Sequence, residues 1–301
     1  SGGARFTVRA PEAEAVHVCL FDPDDRETTR HRLEPRGNGL FVSEIAGVRA
    51  GHRYGLRAEG PWEPENGHRF DPSKLLIDPY AIRLDRPFHY DPRLGEKDVN
   101  TAAIMPKAIV EAPQKPFSGK PRVPRPGGLI YELPVRAFTM LHPDIPEEKR
   151  GTLAALTHPA IIAHLKSLHV AAIELMPIAA WIDERHLPPL GLTNAWGYNP
   201  VTMLALDPRL APGGIAELRA LTTEMHKHGI GVLVDVVFNH TGESDLDGPT
   251  LSLRGLGNRT FYAHDPDNPA HLVNDTGCGN TLACHRPEVQ ELVIAAMRHL
   301  A

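Results

Sequence analysis

The sequence has 301 residues, which suggests about two domains, and a formal net charge of −5 from 32 Lys plus Arg against 37 Asp plus Glu. This acidic balance argues against nucleic-acid binding, and no apolar run reaches the roughly 18 residues that a membrane span needs. The three cysteines are too few for a disulfide scaffold, so we expect a cytoplasmic protein. Five residues separate Cys278 from Cys284, which is not the spacing of a zinc-binding pair. We therefore expect no metal and no cofactor.

The first part of the chain, residues 1–112, has the pattern of an all-β domain. Short segments of alternating apolar and polar residues recur between clusters of Gly, Pro and Asp, and they lie at residues 5–9, 16–21, 40–45 and 52–57. This spacing predicts a small antiparallel β-sandwich. Residues 113–127 are rich in proline and predict a semi-rigid linker.

Residues 128–301 change to an alternation of strands and helices. Apolar strands are predicted at residues 129–133, 171–176 and 230–237, and each is followed by a helical pattern, the last of which begins at Pro287. Such repeats predict a parallel α/β architecture. The turn after the first strand has no glycine-rich phosphate motif, which favours a barrel over a doubly wound sheet. We therefore predict the first three βα units of a (β/α)8 TIM barrel.

The third predicted strand carries a carboxylate in an otherwise apolar run. Asp235 shares one face of this strand with Asn239, and His240 follows where the chain turns. A buried carboxylate is costly unless it is paired or hydrogen-bonded. Asp235 could be satisfied by a neighbouring strand, or the three residues could form a polar site at the barrel mouth. The adjacent Asn239 and His240 favour the second interpretation.

The loop after the second predicted strand contains Trp196-Gly197-Tyr198-Asn199. Aromatic faces suit the apolar faces of sugar rings, and tyrosine adds a hydroxyl group. The same residues could simply anchor their own loop. The four residues alone do not decide between these two roles.

Several motifs together resemble one enzyme family. Residues 235–240 match the first signature region of the α-amylase family of glycoside hydrolases, and residues 196–199 resemble the segment after its second strand. Further stretches resemble the isoamylase-type glycogen debranching enzymes of that family, and they lie at residues 52–55, 66–72, 75–80, 141–146, 247–252 and 276–282. The ordered series runs from about residue 5 to the end of the chain.

The resemblance implies a glycan-binding β-sandwich followed by a TIM barrel, and a glycoside hydrolase that cleaves α-1,6 branch linkages in glycogen or limit dextrin. It implies that Asp235 supports the nucleophile, that Asn239 braces the site, and that His240 hydrogen-bonds the sugar. It also implies substrate contacts for Tyr198, with Trp196 and Asn199 in the same loop. The sequence departs from the usual pattern at three positions, Pro134, Ala195 and Ala283.

The resemblance places the nucleophile and the acid/base carboxylate in strands beyond residue 301. Glu132 and Glu174 alternate with apolar neighbours and are interpreted as packing or ion-pair residues. We therefore expect the 301 residues alone to be inactive, and a C-terminal remainder or a partner chain to complete the barrel around a branched α-glucan. Alternatives are a non-catalytic glycan-binding protein, or a branching or trehalose-releasing activity of the same family.

Overall fold

The first part of the chain folds into two antiparallel sheets. The computed structural model describes residues 2–113 and 126–301, so the predicted linker at 113–127 lies almost entirely outside the described residues. One sheet has the strand order β1-β5-β4, the other has the order β3-β2-β6-β9, and β7 and β8 form a separate hairpin. The strands are β1 (Gly3–Arg9), β2 (Ala15–Phe21), β3 (Glu27–Arg32), β4 (Glu34–Pro35), β5 (Leu40–Ala46), β6 (Arg53–Glu59), β7 (Trp62–Glu63), β8 (His68–Arg69) and β9 (Ala108–Ile109).

The sequence pattern predicts four of these nine strands and misses the other five, of which β3 is the longest. Strands β1, β2, β5 and β6 lie where the pattern predicts them, and core side chains such as Val18 and Leu56 are fully buried. Strand β3 is mostly exposed and lies at the edge of its sheet. Its residues 27–32 are all polar or charged, so they carry no hydrophobic alternation that could identify a strand.

The second part of the chain contains three parallel strands in the order β10-β11-β12. These strands are β10 (Leu129–Leu133), β11 (Val170–Leu175) and β12 (Gly231–Val234). The helices are α1 (Val135–Thr139), α2 (Pro159–Ser167), α3 (Ile215–Lys227), α4 (Leu253–Phe261) and α5 (Pro287–Leu300). The predicted α/β alternation is therefore present, with helices between successive parallel strands.

One face of this parallel sheet is covered and the other is open. Leu133, Ile173 and Leu175 pack in an apolar core with residues of α2 and α3. The opposite face carries Ile130, which is 46% exposed, and the exposed Glu132. This face of β10 is open because no layer of the described residues covers it.

The third strand is shorter than predicted. The sequence predicts a strand over residues 230–237, but β12 ends at Val234, and Asp235 lies just beyond its carboxyl end. The Asp235 amide donates to the Leu175 carbonyl oxygen at 2.9 Å, at the end of the neighbouring strand β11. Strand pairing stops there because β11 is itself followed by Met176-Pro177. The expectation that Asp235 and Asn239 share a strand face is therefore wrong.

The sandwich packs against α4 and the loop before it. The Ile77 amide donates to the Leu251 carbonyl oxygen at 2.8 Å, and the Ser252 hydroxyl donates to the Ile77 carbonyl oxygen at 2.7 Å. Helix α4 is not predicted from sequence, because glycines interrupt its pattern. A Cβ atom on Gly255 would lie 2.5 Å from a methyl carbon of Leu76, so a larger residue there would force the buried Leu76 side chain to shift. Of the described helices, none has the length and apolar character needed to span a bilayer.

Candidate active site

The candidate site lies at the carboxyl ends of β11 and β12. Val232 and Val234 pack on the helix-covered core, so the alternation places Leu233 and then Asp235 on the open face of the sheet. In the sheet register, Leu233 lies opposite Glu174 of the neighbouring strand. The loops that follow the two strands therefore meet above this carboxyl edge.

Tyr198 binds Asp235 directly. The Tyr198 hydroxyl donates to Oδ2 of Asp235 at 2.5 Å. This hydrogen bond to a carboxylate, assisted by partial burial and by the negative charge of Asp235, raises the pKa of Tyr198 to about 12. The charges of Glu132 and Glu174 act in the same direction. Tyr198 therefore stays protonated at neutral pH, as a neutral ring held in one orientation.

The same tyrosine also binds His240 through its main chain. Nε2 of His240 lies 2.9 Å from the Tyr198 carbonyl oxygen, which can only accept, so Nε2 carries a proton. Nδ1 of His240 lies 2.9 Å from Oδ1 of Asn239. Because Nε2 carries the one proton of a neutral ring, Nδ1 then accepts, and the Asn239 amide has to turn over so that its nitrogen donates to Nδ1. His240 is only 5% exposed, whereas Asn239 is exposed.

His240 is expected to remain neutral at pH 7. Its burial lowers the pKa of the imidazole below the ordinary value of 6.5, although the Tyr198 carbonyl oxygen and the Glu184 carboxylate partly offset this. The unfolded chain therefore binds a proton at a higher pH than the folded protein does, so acidification from pH 7 through 6.5 should lower the free energy of unfolding. Histidine-selective NMR titration of the full-length protein, with His240→Gln to assign the signal, checks this. A midpoint above 6.5 for His240 would contradict it.

The loop that carries Tyr198 is built around Asn194. Its side-chain oxygen accepts from the backbone amides of Trp196 and Gly197, both at 2.9 Å. Gly197 has φ +80°, and a Cβ atom there would lie 2.7 Å from the Pro177 carbonyl oxygen, so glycine is required. The Trp196 side chain is 68% exposed and thus does not anchor the loop.

Asn199 has a buried side chain that holds the loop after β11. It is buried at 6% exposure, and its side-chain nitrogen donates to the Ile182 carbonyl oxygen at 2.7 Å. This amide braces the two arms of the loop after β11. The substrate contact that the resemblance implies for Asn199 stays a prediction.

Sequence reasoning misses the ionic contact between the two loops. The Arg185 guanidinium makes a paired contact with the carboxylate of Asp245, at 2.8 and 2.7 Å, and so joins the loop after β11 to the loop after β12. The neighbouring Glu184 accepts from the Asn194 side chain at 2.9 Å. The charged run at residues 183–185 is the signal that could have identified these residues, but such runs are usual on solvated loops.

The structure thus brings together Asp235, Tyr198, His240 and Asn239, and it leaves Trp196 exposed beside them. Asp235 and the Asn239–His240 pair make no direct hydrogen bond to each other in the described structure; Tyr198 links them. Within residues 2–113 and 126–301, no three His, Cys, Asp or Glu side chains are grouped as metal ligands. A fixed carboxylate, a phenol, an imidazole and an exposed indole are groups that suit the binding of a neutral, hydroxyl-rich ligand.

The first part of the chain is similar to a carbohydrate-binding family model, and nearly the whole chain has the fold of two solved structures. Residues 1–81 match the family model Carbohydrate-binding module 48 (Isoamylase N-terminal domain). The structure resembles the pullulanase complexed with maltotetraose from Anoxybacillus sp. LM18-11, with a TM-score of 0.74 and 23% identity over 98% of this chain and 42% of that chain. It also resembles the catalytic module of the glycogen-degrading pneumococcal virulence factor SpuA, with a TM-score of 0.73 and 22% identity over 98% of this chain and 43% of that chain.

The particular relatives are glycogen debranching enzymes. The chain is 42% identical over 99% of its length to the glycogen debranching enzymes of Salmonella paratyphi A and of Salmonella typhimurium strain LT2, and it covers 46% of each of those proteins. The predicted resemblance to the isoamylase-type glycogen debranching enzymes is confirmed. The chain spans about half the length of these curated relatives.

Proposed function

We propose that this chain is the N-terminal part of a glycogen-debranching α-1,6-glucosidase that acts by a retaining mechanism. In this proposal residues 1–112 are the glycan-binding sandwich, residues 113–127 are the linker, and residues 128–301 are the first three βα units of a (β/α)8 barrel. The substrate is a branched α-glucan, either glycogen or limit dextrin. The 42% identity to debranching enzymes over 99% of the chain supports this choice of linkage.

The observation that carries the proposal is the double role of Tyr198. Its hydroxyl binds Asp235, and its carbonyl oxygen binds His240, so one residue ties the carboxylate and the imidazole to the same loop. These groups lie at the carboxyl ends of parallel strands, which is where barrel enzymes place their active sites. A loop that only anchored its own aromatics would not need this pair of contacts.

The chain's own residues position the sugar and do not cleave the bond. Asp235 fixes the orientation of the Tyr198 ring, which then offers a stacking face to the sugar in the cleavage subsite. Trp196 extends the aromatic surface of the loop. His240 holds the main chain of Tyr198, and a contact between its Nδ1 and a sugar hydroxyl requires the exposed Asn239 side chain to move aside. Positioning of this kind lowers the entropic cost of reaching the transition state.

The cleavage itself needs two further carboxylates. A retaining glycosidase uses a nucleophile and an acid/base group about 5–5.5 Å apart. In the proposal both come from segments outside this chain, supplied by a C-terminal remainder or by a partner chain. Glu132 and Glu174 line the open face of the sheet and contribute negative charge near Tyr198, with no role as the catalytic pair.

Product analysis of the full-length protein tests the proposed function. Incubation with limit dextrin is expected to release linear malto-oligosaccharides by scission of α-1,6 bonds, detected by mass spectrometry and linkage analysis. Linear maltoheptaose is the matched control and should remain intact. Cleavage of α-1,4 bonds alone would overturn the debranching proposal. Hydrolysis of limit dextrin by these 301 residues alone would overturn the placement of the catalytic carboxylates outside them.

A further inference from the structure

An ion pair joins the two loops that carry the candidate active site. The guanidinium of Arg185, in the loop after β11, donates to both carboxylate oxygens of Asp245, in the loop after β12, at 2.8 and 2.7 Å. The two side chains are 41% and 43% exposed. Exposed ion pairs add little to folding stability, so the main effect of this contact is on the relative position of the two loops. We call this pair the Arg185–Asp245 clip.

The Asp245 side of the clip is held in place by several parts of the protein. The buried guanidinium of Arg254, in α4, donates to four main-chain carbonyl oxygens of the same loop at 2.7–3.2 Å. Arg69 of the sandwich donates to a further carbonyl oxygen of this loop at 3.0 Å. A Cβ atom on Gly279 would lie 2.4 Å from the Asp245 amide nitrogen, so the turn at Gly279 packs closely against the loop. Asp245 therefore forms the fixed half of the clip.

The Arg185 side of the clip belongs to a mostly exposed segment. In the part of the chain that the structure describes, the backbone hydrogen bonds of residues 186–192 stay within residues 184–192. Leu190 and Leu192 of this segment are 68% and 53% exposed. The contact between Arg185 and the fixed carboxylate is therefore the polar contact that ties this segment to the loop after β12.

A short series of contacts leads from Arg185 to Tyr198. The carboxylate of the neighbouring Glu184 accepts from the side-chain nitrogen of Asn194 at 2.9 Å. The side-chain oxygen of Asn194 accepts from the two backbone amides that precede Tyr198, both at 2.9 Å. A shift of Arg185 would therefore move the turn that carries Tyr198, because one amide side chain joins the two.

We propose that Arg185 is a positioning residue for the branched α-glucan: through the Arg185–Asp245 clip it holds the turn of Tyr198 where the substrate binds. The inference rests on the proposed function, because it concerns the same site. An α-glucan is uncharged, so added salt does not screen its attraction to the protein. Salt does screen the clip, since both of its side chains are exposed to solvent. The clip therefore predicts a KM that rises with ionic strength although the substrate has no charge.

Steady-state kinetics of the full-length protein on limit dextrin test the clip. Arg185→Gln is expected to raise KM about threefold to fivefold and to change kcat less than about twofold, because the loop then has to be ordered when the substrate binds. An increase in NaCl from about 0.05 to about 0.5 M should raise the wild-type KM about twofold and leave the KM of the variant unchanged. Arg185→Lys keeps the charge but not the paired contact, so its KM should lie between the two.

Two further variants separate the clip from a general loss of charge. Asp245→Asn should raise KM as much as Arg185→Gln does, and the double variant should be no worse than either single one. The matched control is Arg36→Gln, which removes an exposed ion pair with Glu34 in the sandwich, 2.8 Å long. This control should leave both KM and its salt dependence unchanged.

Hydrogen–deuterium exchange without substrate measures the order of the loop directly. Arg185→Gln should speed the exchange of amides in residues 186–197, and Arg36→Gln should not. The proposal is overturned by equal exchange in the wild type and Arg185→Gln, by KM effects of the two clip substitutions that multiply, or by a wild-type KM that salt does not change. A wild-type protein that cleaves no α-1,6 bond would contradict the proposed function, and the exchange experiment would still decide whether the clip holds the loop.

Discussion

Replacing Asp235 by Asn in the full-length protein is expected to lower kcat/KM on limit dextrin by about 100-fold or more. The amide keeps the shape of the carboxylate but removes the charge that receives the Tyr198 hydroxyl at 2.5 Å. Hydrogen bonds to a charged acceptor are about twice as strong as neutral ones, so the Tyr198 ring loses its fixed orientation. Initial rates on limit dextrin measure the effect, and the melting temperature confirms that the fold is retained.

A double-mutant cycle separates positioning from other roles of Asp235. If Asp235 acts through the phenol, Tyr198→Phe should cause a comparable loss, and the double variant should be no slower than Asp235→Asn alone. The exposed Asp267, whose side chain lies in a loop after α4, provides the matched control, and Asp267→Asn should keep full activity. Losses that multiply in the double variant would contradict the linkage through Tyr198.

The secondary structure is predictable where local pattern and local energetics agree. Strand β10 has the predicted bounds, and helix α5 begins at the predicted Pro287, because proline fits the first turn of a helix. Helix α4 is missed because glycine interrupts its pattern at Gly255. That glycine packs closely against Leu76 of the sandwich, a residue far away in the sequence. No local pattern contains a contact of that kind.

The site is predictable in its members but not in its connections. A single carboxylate in an apolar run singles out Asp235, and an aromatic loop singles out Tyr198. Their hydrogen bond joins residues that are 37 positions apart, and it exists because β11 and β12 are parallel neighbours. The strand parity that seemed to pair Asp235 with Asn239 fails because strand pairing ends at Val234. The residue at which a strand ends depends on where its pairing with the neighbouring strand stops, and the local sequence does not contain that information.

The loop after β12 is held in place by a buried carboxylate. Glu243 is 1% exposed, and its Oε1 accepts from the amides of Leu251 and Ser252 at 2.6 and 2.8 Å. Its Oε2 accepts from the Arg254 amide at 2.8 Å and from the Tyr262 hydroxyl at 2.5 Å. These amides lie at the start of α4, whose helical geometry is interrupted at Gly257.

Glu243→Ala is expected to lower the free energy of unfolding by about 3–5 kcal/mol, because it leaves three amides and a hydroxyl buried without their acceptor. The matched control is Glu147→Ala, at an exposed glutamate, with an expected change below about 0.5 kcal/mol. Denaturant unfolding of the full-length protein, followed by circular dichroism, measures both. A loss below about 1 kcal/mol for Glu243→Ala would mean that water replaces the carboxylate.

The same variant connects the stability of this loop to the candidate site. The Tyr262 hydroxyl that donates to Glu243 also lies 2.6 Å from the hydroxyl of Thr241, the residue after His240. Loss of the carboxylate therefore loosens the main chain that follows the imidazole, and we expect kcat/KM on limit dextrin to fall even at temperatures where the protein stays folded.

Tyr262→Phe removes only the hydroxyl bridge and keeps the amide contacts, so it should reduce activity while costing about 1–2 kcal/mol of stability. Full activity in a folded Tyr262→Phe variant would show that the position of His240 does not depend on this bridge.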